Sequence, residues 1–347
     1  MGIDFEIRKK YRDFSLDLSL KCDSKRIGIL GASGCGKTMT LKALAGLVRP
    51  DEGHVAVDGR VLFDSAASVD IPARKRNIGY LFQNYALFPN MTVEENIRAA
   101  LHGAGKCGRG QKSRGIEEIL ASFDLTGLRH HMPHELSGGQ QQRTALARML
   151  SCDPGLILLD EPFSAMDTFM REALRLELIR ILDKYDRTVI LVSHDRDEIY
   201  QMCDYLVLMD KGRLIANGPT KEIFAAPGSL AAARLTGCKN ISRIERLGEY
   251  RFRALDWQGL ELETDRPIGD GIGYAGIRAH DFVPEETGVN LIPVGNASVS
   301  TLPFEWYVIT GCGLWWKIPR ALSDEDISGN IPPFIRIPPD KIILMER

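Results

Sequence analysis

No stretch of the chain approaches the ~18–20 consecutive apolar residues that a membrane span requires, and Met1–Glu6 has neither a basic n-region nor an apolar core. A secretory signal and a transmembrane anchor are therefore not expected. Charge of one sign is also lacking. Across 347 residues, 44 Lys and Arg stand against 46 Asp and Glu, which leaves no basic footprint for nucleic acid. The seven cysteines (Cys22, Cys35, Cys107, Cys152, Cys203, Cys238, Cys312) are scattered, with no C-x-x-C pair. That spacing argues against a structural zinc and a disulfide framework, and for a reducing compartment. The expectation is a soluble, intracellular chain of two or three domains, whose membrane role, if it has one, runs through a partner.

The strongest positive signal is Gly31-Ala32-Ser33-Gly34-Cys35-Gly36-Lys37-Thr38, which fits G-x-x-x-x-G-K-[ST]. The apolar run Ile27–Leu30 before it reads as a buried parallel strand, and Met39–Leu47 after it reads as a helix closed by Gly46. Strand, glycine turn and helix are the context the motif needs. Successive N–H groups and the helix N-terminus would converge on a polyphosphate anion. Lys37 would reach the β- and γ-phosphates and the Thr38 hydroxyl would ligate Mg²⁺. Cys35 reads either as a small filler or as a thiol close enough to phosphate for a bound nucleotide to shield it.

Two further apolar strands end in polar residues. Leu156–Leu159 leads into Asp160 and Glu161, and Thr188–Ser193 leads into His194. At the ends of parallel strands these side chains share the crevice where open α/β sheets bind ligands. Asp160 would then partner Mg²⁺, Glu161 could act on water as a general base, and His194 could contact a γ-phosphate. Gln83 closes a shorter strand, Ile78–Phe82, where its amide could ligate Mg²⁺ or hold water. Ser137-Gly138-Gly139-Gln140 opens a long helix and reads as a plain Ser N-cap or a second anion site. Upstream, Tyr11 lies in the turn between two alternating strands, and either it or Phe14 could stack on a base. Thr92-Val93-Glu94-Glu95 is a capping box. The Gly-rich segment from Gly103 to Gly115, with Lys106, Arg109, Lys112 and Arg114, reads as a solvated connection.

Taken in order, the glycine loop, Gln83, Leu136–Gln140, Leu156–Glu161, Asp167 and His194 resemble the ATP-binding cassette of ABC transporters over about residues 1–235. The resemblance implies an α/β P-loop NTPase fold with a helical subdomain near 85–150. It implies ATP and Mg²⁺ as cofactors, with Tyr11, Gly31–Thr38, Thr40, Gln83, Ser137–Gln140, Asp160 and Asp167 around the nucleotide. Thr38, Gln83 and Asp160 would serve the metal; Lys37, Glu161 and His194 would be catalytic. It further implies a homodimer, each ATP lying between one P-loop and the partner's Leu136–Gln140 turn. Met166 departs from the usual leucine beside Asp167, a volume-conserving change. Asn84–Pro89 resembles the importer subfamily, which implies transmembrane permease subunits, a periplasmic or lipid-anchored substrate-binding protein, and a peripheral place on the cytoplasmic membrane face.

From Thr236 the pattern changes to short strands with Gly and Pro turns, as in a small OB-like β-barrel. The expected strands are 250–255, 260–263, 272–277, 297–302, 306–310 and 314–318. Tyr274–Asp281 resembles the Gly-Ile-Arg-Pro-Glu element of TOBE/MOP-like importer domains, with Ala279 and His280 replacing Pro-Glu. Gly59–Ser65, Ile71-Pro72 and Arg74–Tyr80 resemble molybdate importer ATPases, and Thr236–Ser242 points to the same molybdate/sulfate group. The substrate expected is molybdate, ahead of sulfate or tungstate. Polyamine, iron(III) or sugar import is the alternative. A soluble cassette ATPase is more remote, because the chain has neither tandem cassettes nor a coiled-coil insert. Lys239 and Ser242 would be the donors if the barrel sensed an oxyanion.

Overall fold

The computed structural model of the chain describes residues 2–103, 115–164, 168–320 and 331–346. Asp167, Met166 and the basic connection at 104–114 lie outside the described residues. The chain forms two compact units, Met1–Thr220 and Lys221–Arg347.

In the first unit, strands and helices follow one another as β1 (Ile3–Lys10), β2 (Ser15–Cys22), β3 (Arg26–Gly31), α1 (Lys37–Ala45), β4 (Glu52–Val57), β5 (Arg60–Asp64), β6 (Val69–Asp70) and β7 (Ile78–Leu81). After these come α2 (Val93–Gly103), α3 (Ile116–Ser122), α4 (Gly138–Leu150), β8 (Leu156–Asp160), α5 (Thr168–Asp183), β9 (Thr188–Ser193), α6 (Arg196–Met202), β10 (Tyr205–Asp210) and β11 (Arg213–Pro219). One sheet takes all eleven strands in the order β6-β5-β4-β1-β2-β11-β10-β3-β9-β8-β7.

Its two halves differ for a reason visible in the residues. β2 alternates exposed and buried positions, and it pairs antiparallel with β1 from Ile3↔Cys22 to Lys10↔Ser15. β8 and β9 are buried at every position, as strands covered on both faces must be. β10, β3, β9, β8 and β7 run parallel in that order. The C-terminal ends of β3, β9, β8 and β7 therefore fall side by side along one sheet edge, and each delivers a different motif there.

Local chemistry sets the ends of the elements. Gly36 caps α1 at φ 107, and a Cβ there would stand 2.7 Å from the Phe14 ring. Asp58 and Gly59, both at positive φ, make the tight turn from β4 to β5. The Thr92–Glu95 capping box forms, with Thr92 N–H donating to Glu95 Oε2 at 2.7 Å and Glu95 N–H to Thr92 Oγ1 at 3.3 Å.

The second unit begins within a short helix, Thr220–Ala225, and a second short helix, Leu230–Leu235, follows with Ser229 as its N-cap. Its strands form sheets of five, two and three around a shared core that includes Phe252, Trp257, Val308, Trp316 and Ile335. The six strands expected there are present within a residue or two. Asn240–Arg246, Leu291–Pro293, Phe334–Arg336 and Ile343–Glu346 are additional to them.

Candidate functional site

At the end of β3 the Lys37 side chain is 4% exposed, and its ammonium donates to the main-chain carbonyls of Gly31 at 2.9 Å and Ala32 at 3.2 Å. The same nitrogen lies 3.8 Å from Glu161 Oε1, while His194 Nδ1 lies 3.2 Å from Glu161 Oε2. Lys37, Glu161 and His194 therefore form one line across the ends of β3, β8 and β9.

Glu161 sits at φ 46, in the left-handed region. Its N–H donates to Val192 O at 3.0 Å, and its carbonyl accepts from Ser164 Oγ at 3.0 Å. The residue after it is also fixed: Tyr85 Oη and Gln142 Nε2 both donate to Pro162 O at 3.4 Å. Main-chain strain of this kind persists only where the surroundings over-determine it.

Asp160 is 3% exposed and accepts two hydroxyl hydrogen bonds of 2.8 Å, from Thr38 Oγ1 and from Tyr80 Oη. Thr38 and Asp160 form an all-oxygen donor set, which suits Mg²⁺. The residues present thus fit the metal. In the sequence Tyr80 is only one residue of the Ile78–Phe82 strand, with no sign of a role at the site. Burial first, and the Asp160 charge second, push its phenol well above the ordinary value, so it remains a donor at neutral pH. The signal lies in the register: Tyr80 pairs with Leu158, two residues from Asp160, so their side chains share a face.

Not every candidate residue joins this cluster. Gln83 is exposed, two residues beyond the end of β7. Thr40 is fully buried, with its hydroxyl turned back onto Gly36 O at 3.1 Å. Ser137 caps α4, and Gln140 Oε1 accepts from Ser137 N–H at 2.8 Å in a reciprocal capping box. Ser137 and Gly138 are exposed, and no hydrogen bond or ion pair among the described residues ties this turn to the P-loop. Near the loop, the Phe14 ring packs on Gly36, whereas the Tyr11 ring centroid lies 6.1 Å from that of Phe14 and the Tyr11 hydroxyl is buried without a hydrogen-bond partner among the described residues.

Cys35 is 5% exposed, and burial pushes its thiol up from the ordinary value. Its sulfur lies 2.6 Å from where a Gly31 Cβ would stand, so it fills space behind the loop. In the second unit, Lys239 lies 4.5 Å from the Tyr307 ring centroid and 5.1 Å from that of Trp315. Ser242 Oγ donates to Arg243 O at 2.8 Å and accepts from Asp256 N–H at 2.9 Å. Both groups suggested as oxyanion donors thus already have partners within the unit.

Comparison with known proteins bears on the whole arrangement. Residues 14–164 match the family described as ABC transporter. The sulfate/thiosulfate import ATP-binding protein of Caulobacter vibrioides is 36% identical, covering 90% of this chain and 89% of that protein. An Fe(3+) ions import ATP-binding protein of Pectobacterium atrosepticum is 35% identical over 87% and 84% of the two chains. The molybdenum import ATP-binding protein of Paramagnetospirillum magneticum is 34% identical over 96% and 95%. Among solved structures, a bacterial ABC transporter cassette in dimeric form aligns with TM-score 0.52 and 26% identity, over 63% of this chain and 98% of that one. Family, fold and ATP with Mg²⁺ as cofactors agree across these comparisons, and the chain belongs to the ABC transporter family, among its import ATP-binding proteins.

Proposed function

We propose that this chain is the ATP-hydrolysing subunit of an oxyanion importer, working as a homodimer beneath permease subunits on the cytoplasmic membrane face. The line Lys37–Glu161–His194 carries the reading. Glu161 would take a proton from the attacking water, and His194 would hold the Glu161 carboxylate in orientation. Lys37 would exchange its bonds to Gly31 O and Ala32 O for the β- and γ-phosphates. The loop N–H groups would hold the transferring phosphoryl group in line with the water. Thr38, Asp160 and Gln83 would hold Mg²⁺, which when bound neutralises charge developing on the phosphate oxygens. Ser137, Gly138, Gly139 and Gln140 would close the site from the partner copy, which accords with the exposure of Ser137 and Gly138, and Asp167 would cross the same interface. Either Tyr11 or Phe14 would stack on adenine.

The variant Glu161→Gln tests the chemistry. It should bind ATP, accumulate as an ATP-bound dimer, and turn over ~10²–10⁴-fold more slowly, the usual contribution of a general base. ATPase activity near the parent's would remove Glu161 from the role of base.

For the substrate we propose molybdate, with sulfate next. Support comes from the 59–80 and 236–242 resemblances and from the molybdenum relative's coverage of nearly the whole chain. Iron(III) is the second reading, favoured by a relative of similar identity. The second unit would serve as a regulatory TOBE/MOP-like barrel, and a substrate-binding protein would feed the permease. In vesicles carrying the partner permease, a molybdate-loaded binding protein should stimulate ATP hydrolysis. Stimulation by an iron- or polyamine-loaded one alone would refute the oxyanion reading.

A further inference from the structure

Ser193, the last residue of β9, is 2% exposed, and its hydroxyl donates to Glu198 Oε2 at 2.5 Å. The same oxygen accepts from Asp195 N–H at 2.9 Å. Glu198 is itself 4% exposed, on the first turn of α6. Asp195 is the N-cap of that helix, accepting from Asp197 N–H at 2.8 Å, and lies 3.7 Å from Arg171 Nη1. Counting from this cap, Glu198 occupies N3. An N3 glutamate ordinarily reaches back to the N-cap N–H directly. Here one hydroxyl is interposed, so the glutamate holds the cap N–H through Ser193.

The residue between the two pinned positions is His194. Its side chain is 53% exposed and, among the described residues, its contact is Glu161 at 3.2 Å. A half-exposed imidazole has little side-chain packing to orient it, so its direction follows from the backbone on either side. That backbone depends on where the single Ser193 proton goes. With the proton given to Glu198, the hydroxyl lone pairs face Asp195 N–H. Without an acceptor at 198 the hydroxyl is free to rotate, and the hold on Asp195 is lost. The helix cannot shift to compensate, because Ile199 packs against β3 so closely that a Cβ on Gly28 would lie 2.9 Å from it.

We propose that Glu198 is the positioning residue of the His194 turn, acting through the Ser193 hydroxyl to set the imidazole against Glu161. The inference rests on the reading that Glu161 and His194 act on the attacking water.

The test is steady-state Mg²⁺-ATPase kinetics of the full chain, with melting temperature and the His194 ring NMR signal recorded for each variant. Glu198→Ala should lower kcat ~10- to 100-fold, the usual cost of a misplaced catalytic group, with KM for ATP unchanged within about twofold. Glu198→Gln keeps an acceptor for the Ser193 proton and should recover most of that loss. Ser193→Ala should match Glu198→Ala, and the double variant should be no worse than either single. The His194 signal should move in the Ala variants and stay in Glu198→Gln.

Parent-like kcat in Glu198→Ala, or a loss that Glu198→Gln does not recover, overturns the inference. If Glu198→Ala does not fold, Ser193→Ala decides alone, since it removes only a hydroxyl. Glu161→Gln run in parallel separates the layers. If it is inactive while the 193 and 198 variants are normal, only this inference fails; if it is active, the underlying reading fails and takes the inference with it.

Discussion

At Asp160 two hydroxyls converge from different elements, Thr38 from the start of α1 and Tyr80 from β7. A carboxylate held from both sides cannot swing, which is what a metal ligand needs from its outer partners. Tyr80→Phe should therefore raise the Mg²⁺ concentration for half-maximal ATPase activity about 10-fold, read from a Mg²⁺ titration at saturating ATP. A titration curve superposing on the parent's would show that Thr38 orients Asp160 alone. Thr38 and Asp160 were legible because each belongs to a contiguous motif. Tyr80 was not, because its relation to Asp160 exists only in the parallel register of β7 and β8. Ser193 and Glu198 were hidden for a similar reason. Five residues apart, they look like a strand end and an ordinary acidic helix start.

Between β7 and α2 the chain is held from two elements. Asn96 is fully buried on α2, where Nδ2 donates to the carbonyls of Phe88, Met91 and Thr92, while Oδ1 accepts from Phe88 N–H at 2.9 Å. From α4, Arg148 donates to Ala86 O at 2.8 Å and Tyr85 O at 2.9 Å, with its guanidinium 5.2 Å from the Phe88 ring centroid. Tyr85 and Ala86 are both at positive φ, so the loop needs this support. Asn96→Ala leaves several part-buried main-chain groups without their side-chain partner and should cost about 2 kcal/mol in urea unfolding. A change under about 0.5 kcal/mol would mean the loop holds itself. The helix start here was legible from Thr92 and Glu95, whereas Asn96 reads in sequence as one more polar residue of a first turn. In α4, Gln140, which the family resemblance places at the nucleotide, accepts from Ser137 N–H and so stabilises the helix start as well.

Across the molecule, the order β10-β3-β9-β8-β7 is what turns scattered motifs into one row of strand ends. Buried strands and their polar termini could be read directly, since continuous apolar runs leave few other assignments. Their lateral order could not, because nothing in a strand's own residues names its neighbour. In the second unit the strands that escaped reading are mostly short or carry proline, as Leu291–Pro293 and Phe334–Arg336 do. Division into Met1–Thr220 and Lys221–Arg347 predicts two calorimetric transitions. Mg²⁺-ATP at 100 times its Kd should shift the first unit's transition by about 2.7 kcal/mol of stabilisation and leave the other in place. A single transition moving as a whole would show that the units unfold as one.

The left-handed backbone at Glu161 sets two kinds of fitness against each other at one position. Glycine would adopt φ 46 without steric strain, yet it has no carboxylate to place between Lys37 and His194. A backbone chosen for ease alone would carry glycine there, and would be a protein that no longer turns over its fuel.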